Sequence, residues 1–352
     1  MKNKPTYLQI YEKIKNDIIN GVYLYREKLP SKRVLADNSG VSVITVEHAY
    51  NLLFDEGYIE PKERSGYFVV YKESDFSGTA EPNHDIVSEK RKPKHTDSLF
   101  PYSVFAKATR KVLSERQEEL LVKSPNLGCA ELRGAISSYL LKNYGINVNT
   151  NQIIIGSGAE YLYGLIVLLL GNDKTFALED PCYEKISRVY KSHNVNCEFL
   201  KLGQNGIKTS ELKNSKATVL HITPFNSYPS GITATASKRK EYIKWAKERN
   251  GYIIEDNYDG ELTVSKKNEE TVFSLSKNNV IYLNTFSKTI APSIRAGYIV
   301  LPENLVQVYQ EKLGFYSCTV PVLEQYVLAE LISGGDFVRH INRVRRKRRK
   351  VN

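Results

Sequence analysis

The sequence predicts a chain in two parts: a small helical module closed by a β-hairpin, then a larger α/β domain with a mainly parallel sheet. Three observations predict it. The first seventy residues carry three helix-period apolar patterns followed by two strand-like runs around a polar turn. A polar stretch of mixed charge comes next. Beyond it, helical patterns alternate with short apolar runs, as in a parallel sheet covered on both faces. At 352 residues and 41% hydrophobic content, the chain has room for two domains and a sizeable core, which excludes global disorder.

In the first module Leu8, Tyr11, Ile14, Ile18 and Ile19 fall at helical spacing, and Gly21 ends the pattern. Ser31, after Leu29-Pro30, is placed to cap a short second helix through Leu35 and Ala36. Gly40 permits a tight turn, and Ser42 caps a third helix with Val46, Ala49, Tyr50, Leu53 and Phe54 on its inner side. Gly57 stops that helix. Residues 58–61 and 66–71 read as strands around the turn 62–65.

Three helices, a Gly turn and a hairpin make a winged helix-turn-helix over residues 1–71. In that geometry the start of the third helix enters the major groove and the hairpin reaches the backbone beside it. Ser42, Val43, Thr45, Glu47 and His48 would then face outward, with Lys32 and Arg33 at the start of the second helix. Ser31, Arg33, Ser42, Thr45, His48, Lys62, Arg64 and Gly66 are the DNA-facing candidates, because hydroxyls and guanidinium groups suit phosphates and base edges. Ten basic and nine acidic side chains in 1–71 give no strong electrostatic signal, and a small helical domain for protein contacts is the competing reading. The order of elements favours DNA.

Residues 72–97 (KESDFSGTAEPNHDIVSEKRKPKH and flanks) have the composition of a solvated linker, and the α/β domain is expected over 98–352. There, 131–143 and 161–170 read as helices. The runs 153–155, 175–177, 217–221, 252–254, 280–283 and 297–301 read as buried strands. Ligands in such sheets sit at the carboxyl ends of the strands. The loops after those runs hold Gly156-Ser157-Gly158-Ala159-Glu160 before a helix, Glu255-Asp256-Asn257-Tyr258, and Asn284-Thr285-Phe286-Ser287-Lys288 with Arg295 beyond. A glycine turn before a helix lets backbone N–H groups approach an anion, though most such turns only connect. Asp256 taken alone could equally cap a turn. Lys288 is the unexpected residue, since a lysine held in a desolvated cleft becomes nucleophilic towards carbonyls. Thr285, Ser287 and Arg295 offer donors to a phosphate. Together these form a pyridoxal 5'-phosphate constellation: a lysine for the carbonyl, a carboxylate for the pyridine nitrogen and a phosphate cradle.

The formal charge of +11 is concentrated. Seven cations (Arg343, Arg345, Arg346, Lys347, Arg348, Arg349 and Lys350) lie near the C-terminus, and without them the balance is +4. We read them as one face of a helix, with a free nucleic-acid tail as the alternative. Four separated cysteines suit neither a metal site nor a disulfide scaffold. The apolar run 162–170 is too short to span a bilayer, which takes about 20 residues, and the N-terminal MKNKPTYLQI lacks the apolar stretch of a signal peptide. A cytoplasmic protein without a membrane partner is expected.

The stretch LPSKRVLADNSGVSVITVEHAYNLLFDEGYIEPKERSGYFV resembles the GntR-family winged helix, whose pattern is LPSxRxLAxxLGVSRxTVxxAYxxLxxEGYxxxxxGxGxFV. Val43 stands where that pattern has arginine. Further on, LGCAELRGAISSYLLKNYGINVNTNQIIIGSGAE, EDPCYEKI, IIEDNYDGEL and NTFSKTIAPSIRAGYIVLP resemble fold-type I aminotransferases, and the combination is similar to the MocR/GabR regulators.

The resemblance implies that Lys288 forms the Schiff base and that Asp256 pairs with the pyridine nitrogen. It implies that Tyr258 lies at the ring hydroxyl, that Tyr183 stacks on the ring, and that Gly158, Ala159, Thr285, Ser287 and Arg295 bind the phosphate. TPFNSYPSG departs from the family's TPSHQxPxG, so Asn226 is a candidate in place of histidine. Relatives continue past GGDFVRHINRVRRKRRK into a further subdomain, so a C-terminally truncated domain is expected here. The implied function is a regulator that binds a promoter operator as a homodimer and senses an amine, an amino acid or pyridoxal phosphate through Lys288. A working aminotransferase with an accessory DNA module, or a truncated non-functional regulator, are the alternatives.

Overall fold

The computed structural model describes residues 6–72, 100–264 and 270–351. Apart from Lys72, the expected linker lies outside the described residues. The chain divides into two compact units, 1–91 and 92–352.

In the first unit α1 (Thr6–Ile19), α2 (Lys32–Ser39) and α3 (Val43–Asp55) are followed by the antiparallel pair β1 (Ile59–Lys62) and β2 (Gly66–Val69). Both predicted caps form: the Ser31 hydroxyl accepts from the N–H of Val34 at 3.3 Å and Ser42 from that of Thr45 at 3.1 Å. Gly40 takes φ 65°, which a side chain would resist. The stripe that α1 buries is Ile10, Ile14 and Ile18; Ile19 is exposed, one position off the helical face. Each of those isoleucines contributes roughly 1.5–3 kcal/mol by leaving water. On α3, Val46, Ala49, Tyr50 and Leu53 are buried, but Phe54, expected on the inner side, is 47% exposed at the last turn. Tyr50 donates its hydroxyl to the carbonyl of Pro30 at 2.7 Å, tying α3 to the turn that opens α2.

The second unit runs α4 (Tyr102–Arg116), α5 (Ala130–Tyr144), β3 (Ile153–Gly156), α6 (Ala159–Leu170), β4 (Thr175–Asp180), α7 (Glu184–Ser192), β5 (Asn196–Gly203), β6 (Gly206–Ile207), α8 (Thr209–Asn214) and β7 (Val219–Ile222). It continues through α9 (Ala236–Glu248), β8 (Tyr252–Asp256), α10 (Val272–Leu275), β9 (Val280–Thr285), β10 (Gly297–Val300), α11 (Glu303–Leu313), α12 (Val322–Ser333) and α13 (Asp336–Val351).

The strands form one sheet in the order β3-β10-β9-β8-β7-β4-β5-β6. β10 is antiparallel to both its neighbours and β6 to β5; β9, β8, β7, β4 and β5 run parallel. Alternate residues of each strand enter opposite cores. Ile153, Ile155, Ile253 and Tyr282 pack with α5, α9 and α12, whereas Ile154, Ile254 and Leu283 pack with α6, α7 and α11. That two-sided burial is why the strands read as continuous apolar runs.

The basic C-terminal segment is a docked helix. Phe337, His340, Ile341 and Val344 are buried, and the Arg345 guanidinium donates to the carbonyl of Glu261 at 2.7 Å. Among the described residues no helix is long and apolar enough to cross a membrane.

Candidate functional site

In the first unit, the start of α3 carries most of the outward candidates. Ser42 and Thr45 satisfy each other, Oγ to Oγ1 at 2.8 Å. Glu47 pairs with Lys32, linking the outer face of α3 to the start of α2. The exposed His48 ring meets Tyr7 edge-on, with centroids 6.0 Å apart. Arg33 is exposed on α2. Arg64 sits in the hairpin turn and Gly66 opens β2, while Lys62 lies over the Phe68 ring at 4.5 Å.

In the second unit, β3, β4, β7, β8 and β9 end at one edge of the sheet, above a cavity of about 390 Å³. Eight of the ten residues expected at a cofactor line it: Ala159, Tyr183, Asp256, Tyr258, Thr285, Ser287, Lys288 and Arg295. Gly158 stands behind them, and a Cβ there would lie 2.9 Å from Nη2 of Arg295. With φ 94° at this N-cap and no side-chain cap, the start of α6 is open to an anion, although the N–H of Glu160 is engaged by its own carboxylate. Asn226 stands apart. Its amide donates to Asp259 at 3.1 Å and to Thr263 at 3.2 Å.

Asp256 ends β8, nearly buried, and Tyr163 donates its hydroxyl to Oδ2. Nε2 of His221 lies 3.7 Å from the same oxygen, and Nδ1 of that ring is 2.6 Å from the Tyr190 hydroxyl. Burial, reinforced by the Asp256 charge, pushes the Tyr163 phenol well above its ordinary range, so it remains a donor. Lys288 follows β9, with Nζ 4.1 Å from the centre of the Tyr258 ring and 3.5 Å from Oδ1 of Asp259. Asp259 also takes a two-pronged contact from Arg348 of α13 at 3.0 and 3.2 Å.

At the other end of the cavity Arg295 pairs with Glu160 at 2.7 Å, and Lys185 reaches the same carboxylate at 3.2 Å. Desolvation alone would raise that carboxyl. Arg295, its own N–H and Lys185 outweigh it and hold the group at about 2. Sequence reasoning missed Glu160, Tyr163, Lys185, His221, Asp259 and Arg348. Tyr163 had a usable signal, since it lies one helical turn beyond Ala159.

Residues 6–69 match the family described as "Bacterial regulatory proteins, gntR family". The chain is 32% identical over 357 residues to the HTH-type transcriptional regulator YdeL of Bacillus subtilis (strain 168), covering 98% of this chain and 77% of that protein. It is 25% identical to the probable rhizopine catabolism regulatory protein MocR of Rhizobium meliloti, over 97% of this chain and 74% of that one. The chain is a MocR-type regulator of the GntR family. The second unit of this MocR-type protein has an aminotransferase fold. It superposes with a TM-score of 0.62 and 26% identity on the kynurenine aminotransferase of Pyrococcus horikoshii, solved with PMP, over 70% of this chain and 64% of that one.

Proposed function

We propose that this MocR-type transcription regulator holds pyridoxal 5'-phosphate in the 390 Å³ cavity and couples an amine, an amino acid or the cofactor itself to DNA affinity. One observation carries the reading. Lys288 and Asp256 face a single cavity whose far end is the uncapped N-terminus of α6 beside Arg295. The residues fit the group: a primary amine, which is 32% exposed beside Asp259 and not in the desolvated cleft the sequence suggested, a buried carboxylate and an anion cradle that a Cβ at Gly158 would crowd.

When bound, pyridoxal phosphate supplies an aldehyde that condenses with primary amines and a ring that withdraws electrons. Lys288 would offer its amine to that carbonyl. Asp256, held by Tyr163, would accept a hydrogen bond from the ring nitrogen and keep its proton there. The α6 amides, Thr285, Ser287 and Arg295 would bind the phosphate, and Tyr183 would cover the ring face. Tyr258, stacked against Lys288, would orient the amine. An amine effector seated beside Lys288 would shift DNA affinity only as far as it makes different contacts in the two conformations of the protein. A homodimer would present two winged units to paired half-sites.

The test is visible absorbance of the purified protein with pyridoxal phosphate, before and after borohydride, beside Lys288→Ala. A yellow species that borohydride fixes to Lys288, and that the variant lacks, is the expected result. A folded wild-type protein that shows no such species overturns the cofactor role.

A further inference from the structure

The start of α3 presents an apolar surface where a polar one would be expected. Val43 is 42% exposed and Ile44 is 64% exposed. The polar groups around them are already engaged. Ser42 and Thr45 bond to each other and to the helix end, and Lys32 holds Glu47. Two β-branched side chains in the first turn of a helix lose rotamer freedom and gain nothing from water. The gntR match over residues 6–69 implies DNA binding by this unit, and in a helix-turn-helix the start of the second of the two helices meets the base edges.

Val and Ile can neither donate to guanine O6 or N7 nor bond adenine. The C5-methyl group of thymine is the feature of the major groove that an aliphatic side chain complements. We propose that Val43 and Ile44 are specificity-determining residues that read thymine methyl groups in the operator. The inference rests on DNA binding by the winged unit and adds to it the base that α3 selects.

The experiment uses the full chain and a library of synthetic duplexes with a randomised core, selected at fixed salt. The most enriched duplex is then made with deoxyuridine in place of thymidine, one position at a time. This removes only the methyl group and leaves every hydrogen-bonding edge intact. At one or two positions uracil should weaken wild-type binding about fourfold each, the worth of burying one methyl-sized group. Val43→Ala or Ile44→Ala should bind the thymine and uracil duplexes alike at the matching position. Both side chains are exposed, so both variants should melt with the wild type. Val43→Arg should lose the thymine preference and gain one for guanine. An enriched core that is insensitive to uracil throughout overturns the thymine readout while leaving DNA binding standing. Failure to enrich any sequence overturns both.

Discussion

The Glu160→Gln substitution tests the phosphate cradle directly. Glu160 occupies the first turn of α6, and its carboxylate engages both Arg295, at 2.7 Å, and Lys185, at 3.2 Å. An arriving phosphate therefore competes with a resident anion for the same cations. The fall of the carboxyl from 4.5 to about 2 corresponds to roughly 3 kcal/mol of interaction if taken whole. Glu160 is 35% exposed and both cations more so, so solvent screening cuts this to about 1–1.5 kcal/mol. Removing the charge should thus tighten pyridoxal phosphate binding about tenfold. Pyridoxal without the phosphate should gain nothing. The assay is an absorbance titration of wild type and variant with both compounds at constant ionic strength. The variant should also be less stable near neutral pH. A depressed carboxyl contributes stability that is present above 4.5 and lost as pH falls towards 2, and glutamine has none to lose. Equal affinity of the two proteins for pyridoxal phosphate, or an equal gain for pyridoxal, would refute the competition.

Two further predictions concern packing around the cavity. Arg348→Ala leaves Asp259, only 10% exposed, with Asn226 and Lys288 as its remaining partners. Stability to urea should fall by about 1–2 kcal/mol, below the full cost of orphaning a buried charge, and Arg348→Lys should recover only part because it cannot make both contacts; an unchanged urea midpoint would show that α13 is not held through Asp259. The second prediction concerns Glu179, which burial pushes up to about 8 against the pull of the Ser227 hydroxyl and a backbone N–H. Its folded value lies above its unfolded one, so its contribution is present below 4.5 and is lost as pH rises through 8. The melting temperature of Glu179→Gln should therefore decline less between neutral and mildly alkaline pH than that of the wild type, and parallel curves would contradict the assignment.

What the sequence revealed and what it concealed have distinct physical causes. Ser31, Ser42 and Gly40 were legible because caps and turns depend on neighbours within a few positions. The central strands were legible because burial on both faces leaves an unbroken apolar run. β5 was not, since its Asn-Cys-Glu-Phe-Leu-Lys-Leu-Gly sequence is mostly half-buried or exposed and carries no such run. The reversed direction of β10 was hidden for a different reason: a strand buried on both faces has the same composition either way. At the cavity, local motifs pointed to Lys288, Asp256 and Arg295. They could not point to Glu160 as the partner of Arg295 or to Arg348 as the partner of Asp259, because those contacts join positions 135 and 89 residues apart.

The charge distribution separates two roles that the bulk value of +11 merges. The winged unit is almost balanced in charge, so phosphate attraction alone would give it little hold on DNA, and the proposed fit of α3 to base edges would carry the selectivity. The excess of positive charge lies on α13, and part of it is already committed there. Arg345 is bonded to the carbonyl of Glu261, and Arg348 to Asp259 and the carbonyl of Leu262. A guanidinium bound to a nearly buried carboxylate is unavailable to a phosphate backbone unless that contact breaks. The basic segment that dominates the isoelectric point thus anchors the C-terminal helix beside Lys288. Arg345 and Arg348 serve to hold the helix, and on the reading proposed above the bases are met by the nearly neutral surface of α3.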